Sequence, residues 1–223
     1  MKELNFNAGK INYDENYHEI KFNRLMNDKD YYNIKAKLAK KEYFKAYFEE
    51  NSKVLEFGCG LGQNLGMINN KFGLDLNKKL YPLLEKSGIK MFKKLSDIPD
   101  NYFDEIILSQ VLEHLEDPMQ ILKKLNKKLK PGGKLRIVLP KVNYNKVELN
   151  KTIDGHIYGW GFYEINYLLN RCGFEVIYNK IIYRRGIDKL YFLSKINFNL
   201  YYVVTKLYGR IVNDFDILVI AKK

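Results

Sequence analysis

Two acidic residues stand on either side of a glycine-rich turn and could bind a ligand together. The segment VLEFGCGLGQNL (54–65) contains Glu56, Gly58, Gly60 and Gly62, and GLDLN (73–77) contains Asp75. Glycines allow a sharp backbone turn and close approach to a ligand, since no Cβ is in the way. In doubly wound folds, an acid after the second strand is placed to bind ribose hydroxyls. The spacing predicts a site for a nucleoside-containing cofactor.

The same turn argues against phosphate-bearing cofactors. A dinucleotide fingerprint needs G-x-G-x-x-G, but the third glycine position is Gln63 here, and no Gly-Lys-Ser/Thr phosphate loop is present. The carboxylate of Glu56 beside the loop would repel phosphate and attract a cationic amine. A zwitterionic nucleoside without phosphates fits these residues best.

Five motifs then follow in an order that resembles a known family. They are EFGCGLG, GLDLN, FDEIILSQVLEHLEDP (103–118), PGGKLRIVLP (131–140) and a later GF strand, within about residues 50–182. This set is similar to the class I S-adenosylmethionine-dependent methyltransferases, particularly a small bacterial branch. The resemblance implies a seven-stranded sheet whose last strand is inserted antiparallel, and S-adenosylmethionine as the cofactor.

The resemblance also implies roles for individual residues in binding the cofactor. Glu56 would hold the methionine amino group, the backbone at Gly58 and Gly60 would pass beneath the cofactor, and Asp75 would bind the ribose hydroxyls. Asp97 would contact the adenine amino group, with Asp100 as its competitor. The remaining predicted cofactor contacts are Cys59, Leu76, Ile98, Ser109, Gln110 and His114. Ser109 and Gln110 could instead line the acceptor pocket, and His114 could be structural.

Methyl transfer to a hydroxyl also needs a residue that takes up a proton. His156, in the loop KVNYNKVELNKTIDGHIYGWGFY (141–163), is the preferred general base, because an ordinary histidine is largely neutral near pH 7. Its alternative role is a simple hydrogen bond, and His18 is a rival base. Tyr158 and Trp160 could stack on the acceptor or exclude water. The reaction needs no metal in principle, and no metal site is predicted from the sequence.

Length and composition limit the class of protein further. The 223 residues, 46% of them hydrophobic, suit one α/β domain. The net charge of +12 comes from 38 basic residues, of which only six are arginines, and this favours solvated lysine-rich helices over a nucleic-acid partner. Cys59 and Cys172 are expected to be free thiols in a reducing compartment. Without an apolar signal segment or membrane span, a cytoplasmic location is expected.

The elements that must position these residues alternate along the chain. Strands are predicted over 54–57, 72–75, 89–92, 103–109, 134–139, 174–182 and 216–221, and helices over 28–50, 61–69, 78–86, 118–129 and 163–171. This alternation predicts a doubly wound, mainly parallel sheet with helices on both faces. We expect a single domain (1–223) with an amino-terminal arm and helix (1–50), a cofactor-binding half (51–140) and a substrate-side half (141–223).

A helix predicted over about 187–210 is apolar over most of its circumference. It could cap the substrate pocket, form a homodimer contact, or rest on an anionic membrane surface through its basic residues. The chain could therefore be a monomer or a homodimer.

Together these observations predict an O-methyltransferase acting on a small or glycan-related acceptor, such as a sugar or a nucleotide-linked or lipid-linked sugar. The glycan expectation rests on analogy with similar bacterial proteins of surface-polysaccharide synthesis. The alternatives are an RNA or protein methyltransferase and a non-catalytic protein that binds S-adenosylmethionine.

Overall fold

The computed structural model describes residues 23–142, 156–183 and 190–223. Seven strands form one sheet: β1 Lys53–Phe57, β2 Asn70–Leu74, β3 Lys90–Phe92, β4 Phe103–Ser109, β5 Leu129–Pro140, β6 Glu175–Tyr183 and β7 Phe215–Lys222. Their order is β3-β2-β1-β4-β5-β7-β6. The pairs among β1 to β5 are parallel, whereas β7 pairs antiparallel with both β5 and β6. The predicted fold class, with its inserted antiparallel last strand, is confirmed.

Besides the helical residues 23–27, the described ranges contain six helices: α1 Lys29–Tyr43, α2 Tyr81–Lys86, α3 Pro118–Lys128, α4 Phe162–Arg171, α5 Tyr191–Ile196 and α6 Phe198–Ile211. Their starts follow local capping rules. The Asp28 carboxylate accepts from the backbone N–H of Tyr31, and Asp117 does the same for Gln120. These contacts satisfy amide groups that a helix start otherwise leaves unpaired.

The core has two layers, one on each face of the sheet. Alternate residues of a strand point to opposite faces, so Val54 enters the layer that contains α1 and α6, while Leu55 enters the layer that contains α3 and α4. In β4, Ile107 enters the same layer as Val54, and Ile106 enters the same layer as Leu55. All four side chains are fully buried. Central strands covered on both faces read as nearly continuous apolar runs for this reason.

The helix predicted over 61–69 is not present. Only a short 3₁₀ turn, Gln63–Leu65, lies between β1 and β2. Gly62 has a φ of +70°, which breaks a right-handed helix at its start, and a Cβ on Gly66 would lie 2.7 Å from the Cβ of Ala36. Helix α1 therefore packs directly against this turn and covers the sheet where the predicted helix was expected.

The first helix also ends earlier than predicted, at Tyr43 rather than residue 50. The guanidinium of Arg136, a fully buried residue of β5, donates from Nη1 to the carbonyl oxygens of Tyr43 and Ala46, at 2.8 and 2.9 Å. The same guanidinium forms an ion pair with Glu105 on β4. The helix end supplies acceptors that this buried cation needs, because a buried charge must be paired and hydrogen-bonded.

The single helix predicted over 187–210 is two helices, α5 and α6, and residues 187–189 lie outside the described residues. The break is at Asn197, whose extended backbone (φ −155°, ψ 119°) cannot continue a helix. Its side-chain oxygen accepts from the N–H groups of Asn199 and Leu200, at 2.8 and 3.0 Å. Asparagine is among the preferred residues for starting a helix in this way.

We expect replacement of this cap, Asn197→Ala, to lower the free energy of unfolding by about 1 kcal/mol, because two amide groups lose their acceptor. Urea denaturation of the purified protein measures the difference. Asn199→Ala is the matched control, since its side chain is exposed and accepts from Lys41 of α1 rather than from the start of α6. Equal stability of the two variants would contradict the capping role of Asn197.

Helix α6 buries one side and exposes the other. Tyr201, Thr205 and Gly209 are buried, whereas Val203, Leu207 and Ile211 are at least half exposed. Across the described ranges, no helix has both the length and the apolar character needed to cross a bilayer.

Candidate active site

A cavity of about 920 Å³ opens at the carboxyl ends of β1, β2, β4 and β5. In doubly wound sheets, ligands usually bind outside the carboxyl ends of the strands, at the point where the strand order reverses. The cavity brings together ten of the predicted site residues: Glu56, Gly58, Cys59, Gly60, Asp75, Leu76, Ser109, Gln110, His114 and His156. Its volume suits a nucleoside cofactor together with a small acceptor.

Four predicted site residues lie outside the lining of this cavity. Asp97 is exposed and accepts from the N–H of Lys94, and Ile98 is buried in the apolar core. The Tyr158 hydroxyl donates to the carbonyl of Glu116, and the Tyr158 ring lies 5.3 Å from that of Trp160. Their roles toward adenine and acceptor stay predictions. His18 and most of the loop before His156 lie outside the described residues.

The glycine-rich turn is shaped by backbone conformations that favour glycine. Gly58 has a φ of +74°, and a Cβ there would lie 2.6 Å from a methyl group of Val111. Gly60 has a φ of +49°, and its N–H donates to Oδ2 of Asp75 at 2.8 Å. The turn after β1 is thus tied to the acid that follows β2, which fixes their relative positions.

Asp75 is oriented by two backbone amides. Its Oδ2 accepts from Gly60, and its Oδ1 accepts from the N–H of Asn77 at 2.9 Å. An ionised carboxylate offers about four acceptor positions, so two remain for ligand hydroxyls. The carboxylate is therefore preorganised to accept from a vicinal diol such as that of a ribose.

Glu56 is a buried acid with one oxygen left unsatisfied. Its side chain is almost fully enclosed, Oε1 accepts from the Asn64 amide at 2.5 Å, and Oε2 has no hydrogen-bond partner among the described residues. Burial raises the pKa of this carboxyl to about 8, with the Asn64 bond opposing the shift and the charge of Asp75 adding to it. Such a group is suited to a bound cation, which would restore the ionised form.

Gln110 adds a second unsatisfied polar group to the lining. It follows β4 with a φ of +58°, unusual for a residue that is not glycine, and its side-chain Nε2 is buried without a hydrogen-bond partner among the described residues. Its N–H donates to the carbonyl of Val138 at 2.9 Å, which holds the strained backbone in place. Backbone strain of this kind is concentrated at functional sites.

An acid and two histidines form a cluster elsewhere on the cavity lining. Oε1 of Glu113 lies 3.9 Å from Nε2 of His114 and 4.0 Å from Nε2 of His156. The N–H groups of Ile157 and Tyr158 both donate to the Glu113 carbonyl, at 2.8 and 3.2 Å, and this holds His156 beside the acid. Burial raises the pKa of the Glu113 carboxyl to about 7.

Two acidic residues of the site, Glu113 and Glu42, were not predicted from the sequence. Glu42 of α1 lines the cavity, is nearly fully buried, and binds Lys180 and Lys206, each at 2.8 Å, and the Tyr202 hydroxyl. These partners are more than 130 residues away in sequence, so no local pattern could reveal the network. For Glu113 the sequence does carry a signal, because it is adjacent to His114, a predicted site residue.

The fold and this cavity are those of a protein that binds a nucleoside-containing ligand, and comparison with known sequences identifies the family. The profile of the methyltransferase domain family matches residues 30–179, and the chain belongs to that family. The family assignment confirms the predicted class of S-adenosylmethionine-dependent methyltransferases and, with it, the predicted cofactor.

Several curated proteins match parts of the chain, and two of them illustrate the similarity. An uncharacterised protein of Methanocaldococcus jannaschii is 37% identical over 86 residues, which are 37% of this chain and 42% of that protein. A ubiquinone biosynthesis O-methyltransferase of Xanthomonas axonopodis is 28% identical over 109 residues, 42% of this chain and 46% of the relative. The chain thus spans less than half the length of these relatives.

Solved structures extend the similarity in fold over most of the chain. An S-adenosylmethionine-dependent methyltransferase of Archaeoglobus fulgidus has a TM-score of 0.57 at 24% identity, covering 85% of this chain and 93% of its own. A phosphoethanolamine N-methyltransferase of Haemonchus contortus, solved with S-adenosylhomocysteine, has a TM-score of 0.56 at 17% identity, covering 83% and 51%. At these identities the similarity supports the fold alone.

Proposed function

We propose that the protein transfers the methyl group of S-adenosylmethionine to a hydroxyl group of a small or glycan-related acceptor. The observation that carries the proposal is the arrangement of Glu56 and Asp75 in one cavity with the cluster of Glu113, His114 and His156. The first pair suits a cationic nucleoside, and the cluster suits a group that must lose a proton.

The residues present fit S-adenosylmethionine. The free Oε2 of Glu56 would accept from the methionine ammonium, and the remaining acceptor positions of Asp75 would bind the ribose hydroxyls. The turn at Gly58 and Gly60 leaves no side chain between the backbone and the cofactor. When bound, the cofactor supplies a methyl group on a positively charged sulfur, an already activated carbon.

The residues of the chain then align the acceptor and deal with its proton. His156 has a side chain about one-third exposed beside the buried Glu113, which places an imidazole between solvent and the cavity. In this scheme His156 would take the proton of the acceptor hydroxyl and leave the acceptor oxygen as the nucleophile. Tyr158 and Trp160, next along the chain, would cover the acceptor.

A hydroxyl acceptor accounts for the cluster better than an amine does. A neutral amine can attack a methyl group without first losing a proton, whereas an alcohol benefits from proton removal. The O-methyltransferase name of the Xanthomonas relative supports the same choice. The choice of a glycan-related acceptor rests on analogy with similar bacterial proteins. The structural neighbour from Haemonchus contortus is an N-methyltransferase, so amines are the competing class of acceptor to be tested.

Transfer of labelled methyl groups from S-adenosylmethionine to a panel of sugars, nucleotide sugars and amines tests the proposal. We expect a hydroxyl-bearing acceptor to be methylated, and His156→Ala to lower its turnover about 100-fold or more with cofactor affinity retained. His18→Ala is the comparison, because His18 is the rival base in the sequence. Wild-type turnover by His156→Ala would exclude His156, and methylation of amines alone would contradict the acceptor class.

A further inference from the structure

The cluster of Glu113, His114 and His156 has the composition of a metal site. Each residue offers one ligand atom, and the three atoms lie within 4.8 Å of one another. Two imidazoles and one carboxylate are a recurring ligand set for catalytic zinc and for non-haem iron. Such three-residue sites keep positions open for water or substrate, and this cluster also faces a cavity.

A second observation points to a ligand at the same place. The Glu113 side chain is only 1% exposed, and neither of its carboxylate oxygens has a hydrogen-bond partner among the described residues. Removing a carboxylate from water without replacing its hydrogen bonds is costly, so buried acids are normally paired or coordinate a metal. A cation bound between Glu113 and the two imidazoles would provide the missing interaction.

The distances are close to those of a coordinated ion. Ligand atoms bound at about 2.1 Å to a tetrahedral ion lie about 3.4 Å apart. Oε1 of Glu113 is 3.9 Å from one imidazole nitrogen and 4.0 Å from the other. All three ligand atoms lie within 4.8 Å of one another, so movements of about 0.5 to 1.4 Å would complete the coordination. The His156 end of the site can make such a movement, because that side chain is partly exposed.

We propose that Glu113, His114 and His156 hold a divalent transition-metal ion at the acceptor end of the cavity. The inference rests on the proposed function and deepens it, since it assigns the ion to the acceptor hydroxyl. The ion acts as a Lewis acid that lowers the pKa of a hydroxyl bound at an open position, so the proton leaves to water. The ion undergoes no change of oxidation state. The ion then replaces His156 in the proton-removal step of the proposed function, and His156 is a ligand rather than the general base.

Metal binding by the full-length protein tests the site without relying on activity. Protein stripped with a chelator is titrated calorimetrically with Zn²⁺ and with Mn²⁺, and bound metal is counted after gel filtration. We expect one ion per chain, and affinity about 100-fold lower or worse in Glu113→Gln and His156→Ala, because even outer-sphere partners of metal sites contribute 10- to 100-fold. Glu113→Gln keeps the shape of the side chain, and thermal unfolding checks its fold.

Glu56→Gln is the matched control for metal binding. This variant removes another buried carboxylate from the same cavity. Among the described residues, Glu56 does not belong to a cluster that could hold a metal ion. We therefore expect Glu56→Gln to bind metal with wild-type affinity. The absence of binding by the wild type, or equal binding by all variants, would overturn the metal site. If Glu113→Gln does not fold, His156→Ala alone decides the outcome.

The two proposals fail in different ways. Full methyl transfer to a hydroxyl by chelator-treated, metal-free protein would overturn the metal role and leave the proposed function intact. Tight metal binding that is lost in the cluster variants, without methylation of any hydroxyl acceptor, would overturn the proposed function and leave the metal site. Activity that a chelator abolishes and one ion restores would support both.

Discussion

Replacement of Asp75 by alanine is expected to lower the affinity for S-adenosylmethionine about 100-fold or more. The variant removes the acceptor for two ribose hydroxyls, and hydrogen bonds to a charged group contribute about 1.5–3 kcal/mol each. It also frees the N–H groups of Gly60 and Asn77, which loosens the turn beneath the cofactor. Isothermal titration calorimetry with the full-length chain measures the loss directly.

Asp104→Ala is the matched control for this experiment. Asp104 lies near the start of β4, at the amino ends of the strands and away from the cavity. Its carboxylate likewise accepts from a backbone N–H, that of Lys53 at 2.8 Å. We expect Asp104→Ala to bind the cofactor with wild-type affinity. Unchanged affinity in Asp75→Ala would show that this acid does not bind the ribose.

Replacement of Glu56 by glutamine is expected to weaken cofactor binding and abolish its coupling to pH. The Glu56 carboxyl has a pKa of about 8 in the free protein, so it is mostly protonated at pH 7. An ammonium group bound against it favours the ionised form and lowers that pKa, so binding at pH 7 releases about one proton. Affinity of the wild type should therefore rise between pH 6 and pH 7, by up to about tenfold.

Calorimetry in two buffers of different ionisation enthalpy counts the released proton. Glu56→Gln keeps an amide that can contact Asn64 but cannot ionise, so its binding should release no proton and change little between pH 6 and pH 7. The ligand amine stays charged over this range and adds little of its own. Proton release equal to wild type in Glu56→Gln would mean that another group pairs with the ammonium.

The sheet could be predicted from sequence because its strands carry strong local signals. The central strands β4 and β5 each contain a short apolar run, at 106–108 and 137–139, and the turns between elements are marked by glycine and proline. The antiparallel position of β7 was not a local signal and followed from the family resemblance. The ends of helices were harder to predict, because α1 ends where the guanidinium of Arg136, distant in sequence, donates to backbone carbonyl oxygens.

The cofactor-binding half of the site could also be predicted from a local sequence signal. Glu56, Gly58, Gly60 and Asp75 lie within twenty residues, and their spacing alone places them at the ends of adjacent parallel strands. The network around Glu42 and the pairing of Glu113 with His156 join residues that are far apart in sequence. Only the folded chain shows those contacts, so the proposed metal site could not be predicted from the sequence.

A crystal structure of the full-length protein with S-adenosylhomocysteine or S-adenosylmethionine bound tests the central claim most directly. We predict the methionine ammonium within hydrogen-bonding distance of Oε2 of Glu56, both ribose hydroxyls on the Asp75 carboxylate, and the sulfur facing the cluster of Glu113, His114 and His156. A ligand bound elsewhere, or a cavity that accepts a nucleoside triphosphate and not these compounds, would contradict the account.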